Sequence, residues 1–348
     1  MEDSIEENEN IIQNEDNLSS EEADSDEDNE DKEWDLNYEE ECNFWMNLKS
    51  RGFIYMPSNC QKCNTGEMEI KKLEKKNIIN PYYVRCNNKS CRKRVNLRSF
   101  SFLVNLRYTP ASVTFEILEK FLHIGLNAQQ INKILKEKYK NKLNIRRIQK
   151  ILEYFRKLIF IHYKLEYNKT LIGGFDNEGE SKIVAIDESL FIHDINGDQI
   201  WVLGGIETKE KKIRLAIINV QDIPTLENFI NENFKEGTHF THDGWAGYNF
   251  LNNNINYTHE PHNHGAGDFG FGAHSTSHIE SLWSYLKEII TKIYGITPQK
   301  NFILFLKEAE LRYNLRDKSK DEIFNLLKDY FKEIYTYNKF VIKSNDMN

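Results

Sequence analysis

Three acidic residues, far apart in the chain, stand where their chemistry would count. Asp187 closes the apolar run "KIVAID", Asp243 follows "THFTH", and Glu280 lies one turn into "HIESLWSYLKEIITKIY". Carboxylates brought together repel and raise one another's pKa. Two Mg²⁺ (or Mn²⁺) ions would relieve that repulsion through hard oxygen ligands. A pair of such ions about 3.5–4 Å apart can activate an attacking oxygen and stabilise a leaving one in phosphoryl transfer. Taken singly, each of the three reads equally well as a capping or solvated carboxylate, since the chain offers 54 acidic residues. Their shared position at the ends of elements singles them out as candidate catalytic and metal-binding residues.

A second group is Cys60-x2-Cys63 with Cys86-x4-Cys91. Two close cysteine pairs can supply the four vertices of a tetrahedral Zn²⁺ site, and one zinc would brace a module too small for a large core. Cys42 is left over and reads as a plain thiol. Around the second pair stand Arg92, Lys93, Arg94 and Arg98, candidate DNA contacts. The expectation is a zinc ribbon over 43–106 that binds DNA; a purely structural zinc is the plainer alternative.

Residues 110–165 carry helical spacing in three stretches, with Ser112, Asn127 and Asn144 as N-cap residues. Residues 120–164 hold 12 Lys and Arg against two Glu. A helix-turn-helix fits, with Arg146, Arg147, Gln149 and Lys150 near the start of its third helix, positioned to reach phosphates and base edges. The alternative is a solvated, lysine-rich linker.

Next come the elements that would position the acids. "KIVAID", "QIWVLGGIE" and "KIRLAIINV" read as three consecutive strands, with "INGD" and "TKEK" as turns. A helix over about 224–235 follows, then strands at "THFTHD" and "INYTHE", a Gly/His-rich loop over 260–276, the helix bearing Glu280, and helices at about 299–314 and 320–336. This order, βββαβ(β)α, is that of an α/β, RNase H-like domain, expected over 180–340. In such a fold the two strands carrying carboxylates lie side by side, and the helix bearing the third packs across them. Eight of ten histidines lie between His193 and His278. Of these, His262, His264, His274 and His278 are candidate phosphate contacts. Glu188 is expected on the strand face opposite Asp187, and Trp245 and Trp283 in packing roles. The run "GAGDFGFG" has no following Lys-Ser/Thr, so it is no P-loop.

Charge divides the 348-residue chain. The net charge is −8, but residues 1–41 carry 20 Asp and Glu and one Lys, which leaves the remainder at +11. A cationic body suits a phosphate backbone. The segment 1–41 reads as an acidic disordered tail, either a solubilising leader or a mimic of nucleic acid that competes for the basic surface. No run of 18 apolar residues exists, so no transmembrane helix and no membrane partner is expected. The acidic start lacks the basic and apolar regions of a secretory signal.

From about Cys60 to Arg316 the sequence resembles the ISXO2-like transposases, the group joining bacterial insertion-sequence transposases to eukaryotic Merlin-type relatives. The resemblance rests on "CQKC", "CNNKSCRKRVNLRSFSF", "AIDES", "WVLGGIE", "THDGWAGY", "PHNH", "HSTSHIESLWSYLK" and "FLKEAELRYNLR". It implies a DDE-type transposase: a metal-dependent nuclease and strand transferase with Asp187, Asp243 and Glu280 as its acidic trio and DNA as its partner. It also implies a homodimer or higher assembly on transposon ends and target, in the nucleus of a eukaryote or with the nucleoid in the cytoplasm of a bacterium. The competing expectations are a domesticated or inactive transposase-derived DNA-binding protein, and a zinc-ribbon transcription regulator.

Overall fold

In the computed structural model, residues 34–345 are described, apart from 124, 140–141, 167–170, 194–198 and 291–301. Most of the acidic tail and the "INGD" turn therefore lie outside the described residues. The tail expectation needs one correction. Residues 38–41 belong to helix α1 (Tyr38–Ser50), capped by Asn37, whose side chain accepts the N–H groups of Glu39 and Glu40. Glu41 is buried, and its carboxylate accepts the backbone N–H of Ala111 at 2.8 Å. A chain-distant glutamate thus caps the helix for which Ser112 was expected to be the cap. That helix begins at Ala111, two residues before the start a Ser112 cap implies, and its carboxylate cap also complements the positive helix end.

Strands β1 (Met68–Lys72), β2 (Tyr82–Cys86) and β3 (Arg94–Asn96) form a small antiparallel sheet that carries the cysteines. Helices α2 (Ala111–Leu122), α3 (Ala128–Leu135) and α4 (Ile145–Glu166) follow. Asn127 caps α3 through a capping box, and Asn144 accepts the Arg147 N–H at 2.8 Å, as their sequence positions lead one to expect. The apolar face of α4 (Ile148, Ile151, Leu152, Phe155, Leu158 and Ile159) is buried.

After the short strand β4 (Ile172–Gly173) come β5 (Ile183–His193), β6 (Gln199–Glu207) and β7 (Ile213–Ile218), then α5 (Ile223–Asn233) with Pro224 in its first turn. The two-residue β8 (Phe234–Lys235) pairs with β4. Strands β9 (His239–His242) and β10 (Thr258–Pro261) precede α6 (Ser277–Ile289), α7 (Phe302–Leu315) and α8 (Lys320–Asn345). The main sheet runs β10-β9-β5-β6-β7. Strands β5, β6 and β7 are antiparallel neighbours, while β9 is parallel to β5 and β10 parallel to β9. The strand that holds Asp187 is therefore central and lies beside the strand that leads to Asp243. Alternation splits the core between two faces. Ala185, Val202 and Leu215 pack with Leu282, Trp283 and Leu286 of α6, whereas Val184, Ile186 and Leu203 pack with Leu226, Phe229 and Tyr248. Among the described residues no helix is long and apolar enough to cross a membrane.

The segment "FLKEAELRYNLR" is a buried charge network. Glu308 and Glu310 are fully enclosed. Glu308 meets Arg156 of α4 at 2.5 Å and Arg312 at 2.7 Å. Glu310 meets Lys307 at 2.9 Å and Arg214 of β7 at 3.1 Å, and Lys307 also donates to the Leu215 carbonyl at 2.6 Å. Helix α7 thereby ties α4 to the edge of the main sheet. Removing one partner of a buried pair strands the other's charge at a cost of about 3–5 kcal/mol. Glu308→Ala is expected to lose stability on that scale in urea unfolding followed by circular dichroism, whereas Glu153→Ala, in an exposed i,i+4 pair with Lys157 on α4, should lose under about 1 kcal/mol.

Candidate active site and metal centres

Asp187 faces Gly204 across the β5–β6 ladder. Its Oδ2 accepts the indole N–H of Trp283 at 2.9 Å. A Cβ at Gly204 would stand 2.4 Å from that indole and 3.0 Å from Leu215. The missing side chain lets the ring lie on the sheet beside the carboxylate. Gly205 does the same on the opposite face, where an added Cβ would stand 2.5 Å from the Phe234 ring.

Asp243 occupies an exposed turn just past β9, and its Oδ1 accepts the Trp245 N–H at 2.9 Å, an Asx-turn. Gly244 takes φ +80°, the left-handed region that glycine enters without strain. Its N–H donates to Nδ1 of the buried His242 at 3.2 Å. The His242 proton therefore sits on Nε2, 2.9 Å from His259 Nδ1, and His259 Nε2 in turn lies 3.2 Å from Asn252 Oδ1. Burial and the neighbouring imidazoles push His242 down to about 3, so this chain of neutral rings braces the turn carrying Asp243. Glu280 lies in the first turn of α6, about half exposed, with His264 Nδ1 3.9 Å from its Oε1.

Asp187 senses the other two acids. Burial pushes Asp187 up to about 6, and the charges of Asp243 and Glu280 push the same way. Glu188 points to the other face of β5, as expected, and accepts the Tyr248 hydroxyl at 2.9 Å. Burial, then Asp187 and Asp243, raise it to about 7. The trio does not close into a tight cage. Among the described residues, groups of three or more His, Cys, Asp or Glu donors within 4.8 Å of one another occur at the four cysteines and at His239, Glu260 and His274. One enclosed and two exposed carboxylates nevertheless fit hard divalent cations that keep part of their water shell.

The four sulfurs also fit a metal. Cys60 and Cys91 lie 3.7 Å apart, as do Cys63 and Cys86. A Zn–S bond of about 2.3 Å puts tetrahedral sulfurs about 3.8 Å apart. Backbone N–H groups of Thr65 and Gly66 lower Cys63 to about 6 and favour its thiolate. Asn64 and Arg92, each just after the second cysteine of a pair, take φ +57° and +46°, and so turn the chain at both knuckles.

The other expected residues separate. Arg92, Lys93, Arg94, Arg146, Gln149 and Lys150 are exposed; Arg147 is half-buried and donates to the Tyr108 carbonyl at 3.3 Å. Arg98 is a correction: it is buried and donates to the carbonyls of Ile79, Leu106 and Thr109 and to Asn80 Oδ1. Its sequence looks basic and exposed, but the tight turns around it expose carbonyls that only a buried guanidinium satisfies. His262 is a second correction. It is 3% exposed, and its Nδ1 lies 3.2 Å from Asp268, so it faces the loop rather than a phosphate. His264 and His278 remain at the rim, the former 2.8 Å from Thr276 Oγ1 and the latter 2.9 Å from Lys211 Nζ. His274 is held 2.9 Å from Glu260. Sequence reasoning missed His242, Tyr248 and the hydrogen bond from Trp283. Only Trp283 left a signal, three residues after Glu280 and so one turn along the same helix face.

Asp187 and Glu188 titrate above their unfolded values. Their contribution to stability is complete below about pH 4 and is lost as pH rises through about 6 to 7. In thermal unfolding without divalent cations, Asp187→Asn is expected to melt above wild type at about pH 8 and to show no such gain at about pH 4. Gly204→Ala should drive the Trp283 ring off the sheet and cost about 1–3 kcal/mol, with the change visible in tryptophan fluorescence.

Residues 165–314 match the family model of the ISXO2-like transposase domain. No curated protein matches the sequence. Among solved structures, the catalytic core domain of BIV integrase is similar at 11% identity over 40% of this chain and 85% of that chain, with a TM-score of 0.29. The intasome of simian T-cell lymphotropic virus in complex with PP2A regulatory subunit B56 gamma is similar at 12% identity over 51% of this chain and 66% of that chain, again with a TM-score of 0.29.

Proposed function

With an ISXO2-like transposase domain at residues 165–314 as the premise, we propose that this protein is a DDE-type transposase that cuts transposon ends and joins them to target DNA. The observation that carries the reading is placement: Asp187 lies on the central strand of a mixed sheet, beside the parallel strand that leads to Asp243, and Trp283, on the helix of Glu280, donates to its Oδ2. The strand order, with the first strand central and the fourth parallel beside it, supports an RNase H-like reading of the domain. Asp187, Asp243 and Glu280 would hold the Mg²⁺ or Mn²⁺ ions, whose contribution when bound is to polarise water and the scissile phosphate.

The chain's own residues do the positioning. Trp283 engages one oxygen of Asp187 and leaves the other for a ligand. The His242–His259 pair holds the Asp243 turn, while His278 at the rim is tied to the Gly272 carbonyl and to Lys211, and His264 to Thr276, which leaves Lys211 as a cation beside that rim. Cleavage frees a 3′-hydroxyl that then attacks target DNA, so no serine or tyrosine nucleophile is called for. Arg92, Lys93, Arg94, Arg146, Arg147, Gln149 and Lys150 form the basic surface we assign to the DNA backbone. The four-sulfur cage is assigned to one Zn²⁺. Assembly as a dimer or larger complex on DNA, and action in the nucleus of a eukaryotic host, belong to the same proposal.

The test is nicking of a DNA fragment carrying the ends that flank the gene, with Mg²⁺. Wild type is expected to nick it, and Asp187→Ala to lose at least about a hundredfold in rate while still shifting the fragment in a gel. A wild-type protein that binds the ends and never nicks them would instead be a DNA-binding relic.

A further inference from the structure

A third cluster of potential metal ligands, distinct from the acidic trio and from the cysteine cage, is formed by His239, Glu260 and His274. These residues come from three elements: the start of β9, strand β10, and the single turn at Gly272–His274. Their donor atoms all lie within 4.8 Å of one another. Glu260 Oε2 is 2.9 Å from His274 Nδ1 and 3.8 Å from His239 Nε2. Both ring nitrogens are buried atoms without a hydrogen-bond partner, so the close approach of His274 to the carboxylate is not aligned as a hydrogen bond. Two enclosed imidazole nitrogens aimed at one carboxylate oxygen are costly unless something sits between them.

The surroundings are also those of a ligand set. His239 Nδ1 lies 2.8 Å from Thr258 Oγ1, which fixes the ring and leaves Nε2 to face the cluster. Metal-bound histidines are usually held in this way through their other nitrogen. Thr241, fully buried on β9, donates through Oγ1 to the His274 carbonyl at 2.7 Å and anchors the third ligand to the sheet.

We infer that His239, Glu260 and His274 bind one divalent transition-metal ion of the Zn²⁺ class, with a fourth position left for water. Two imidazoles and one carboxylate suit Zn²⁺. They do not suit Mg²⁺, which takes oxygen ligands. The ion would clamp the 262–276 loop to β9 and β10, between the turn of Asp243 and the helix of Glu280.

The full-length chain is loaded with Zn²⁺, freed of loose metal by gel filtration and subjected to elemental analysis. Wild type is expected to hold about one Zn²⁺ more per chain than His239→Ala or His274→Ala, with the cysteine site occupied in all three. Co²⁺ titration of wild type gives a measure that depends on no variant. Thiolate-to-cobalt absorption should saturate with the first equivalent, and a weaker spectrum of nitrogen and oxygen ligation should grow with the second. Equal zinc in wild type and the histidine variants, or a Co²⁺ titration that ends at the thiolate site, would overturn the assignment.

Discussion

The structure turns on the burial of one carboxylate. Asp187 sits on the central strand of the main sheet, largely enclosed, with a single neutral donor to one oxygen. Burying a charge costs free energy, and the charges of Asp243 and Glu280 add to that cost, while the Trp283 indole N–H offsets part of it.

Much of the rest serves that position. Gly204 withholds a side chain so that the Trp283 ring can reach Asp187, and Trp283 shares its helix with Glu280. The neutral His242–His259–Asn252 chain holds the Asp243 turn without adding charge to it. The buried network around Glu308 and Glu310 ties α4 and β7 to α7, so the basic helical segment is packed onto the sheet that holds the site. The segment "FLKEAELRYNLR" therefore acts here as a set of buried structural charges, with both carboxylates paired.

Some of this was legible from residue order. Apolar runs located the strands, although β5 continues to His193 past the end expected at Asp187; Asn127 and Asn144 announced two helix starts, and the cysteine spacing pointed to a four-sulfur cluster with two sulfur pairs 3.7 Å apart. The limits had a common cause. Arg98 looks like a surface cation, and Ser112 like a cap, because composition records residue type and not what surrounds it. The carbonyls that bury Arg98 and the Glu41 carboxylate that replaces Ser112 come from chain-distant or tightly turned segments.

The sequence by itself determined the periodicities, the knuckles and the candidate acids, because those depend on spacing of a few residues along one chain. Only the tertiary structure decided which acid is enclosed, that His262 is buried against a loop, and that His239, Glu260 and His274 meet. Those outcomes depend on strand pairing and on helix α6 crossing the sheet. Both bring together residues tens of positions apart, and no local pattern encodes that proximity.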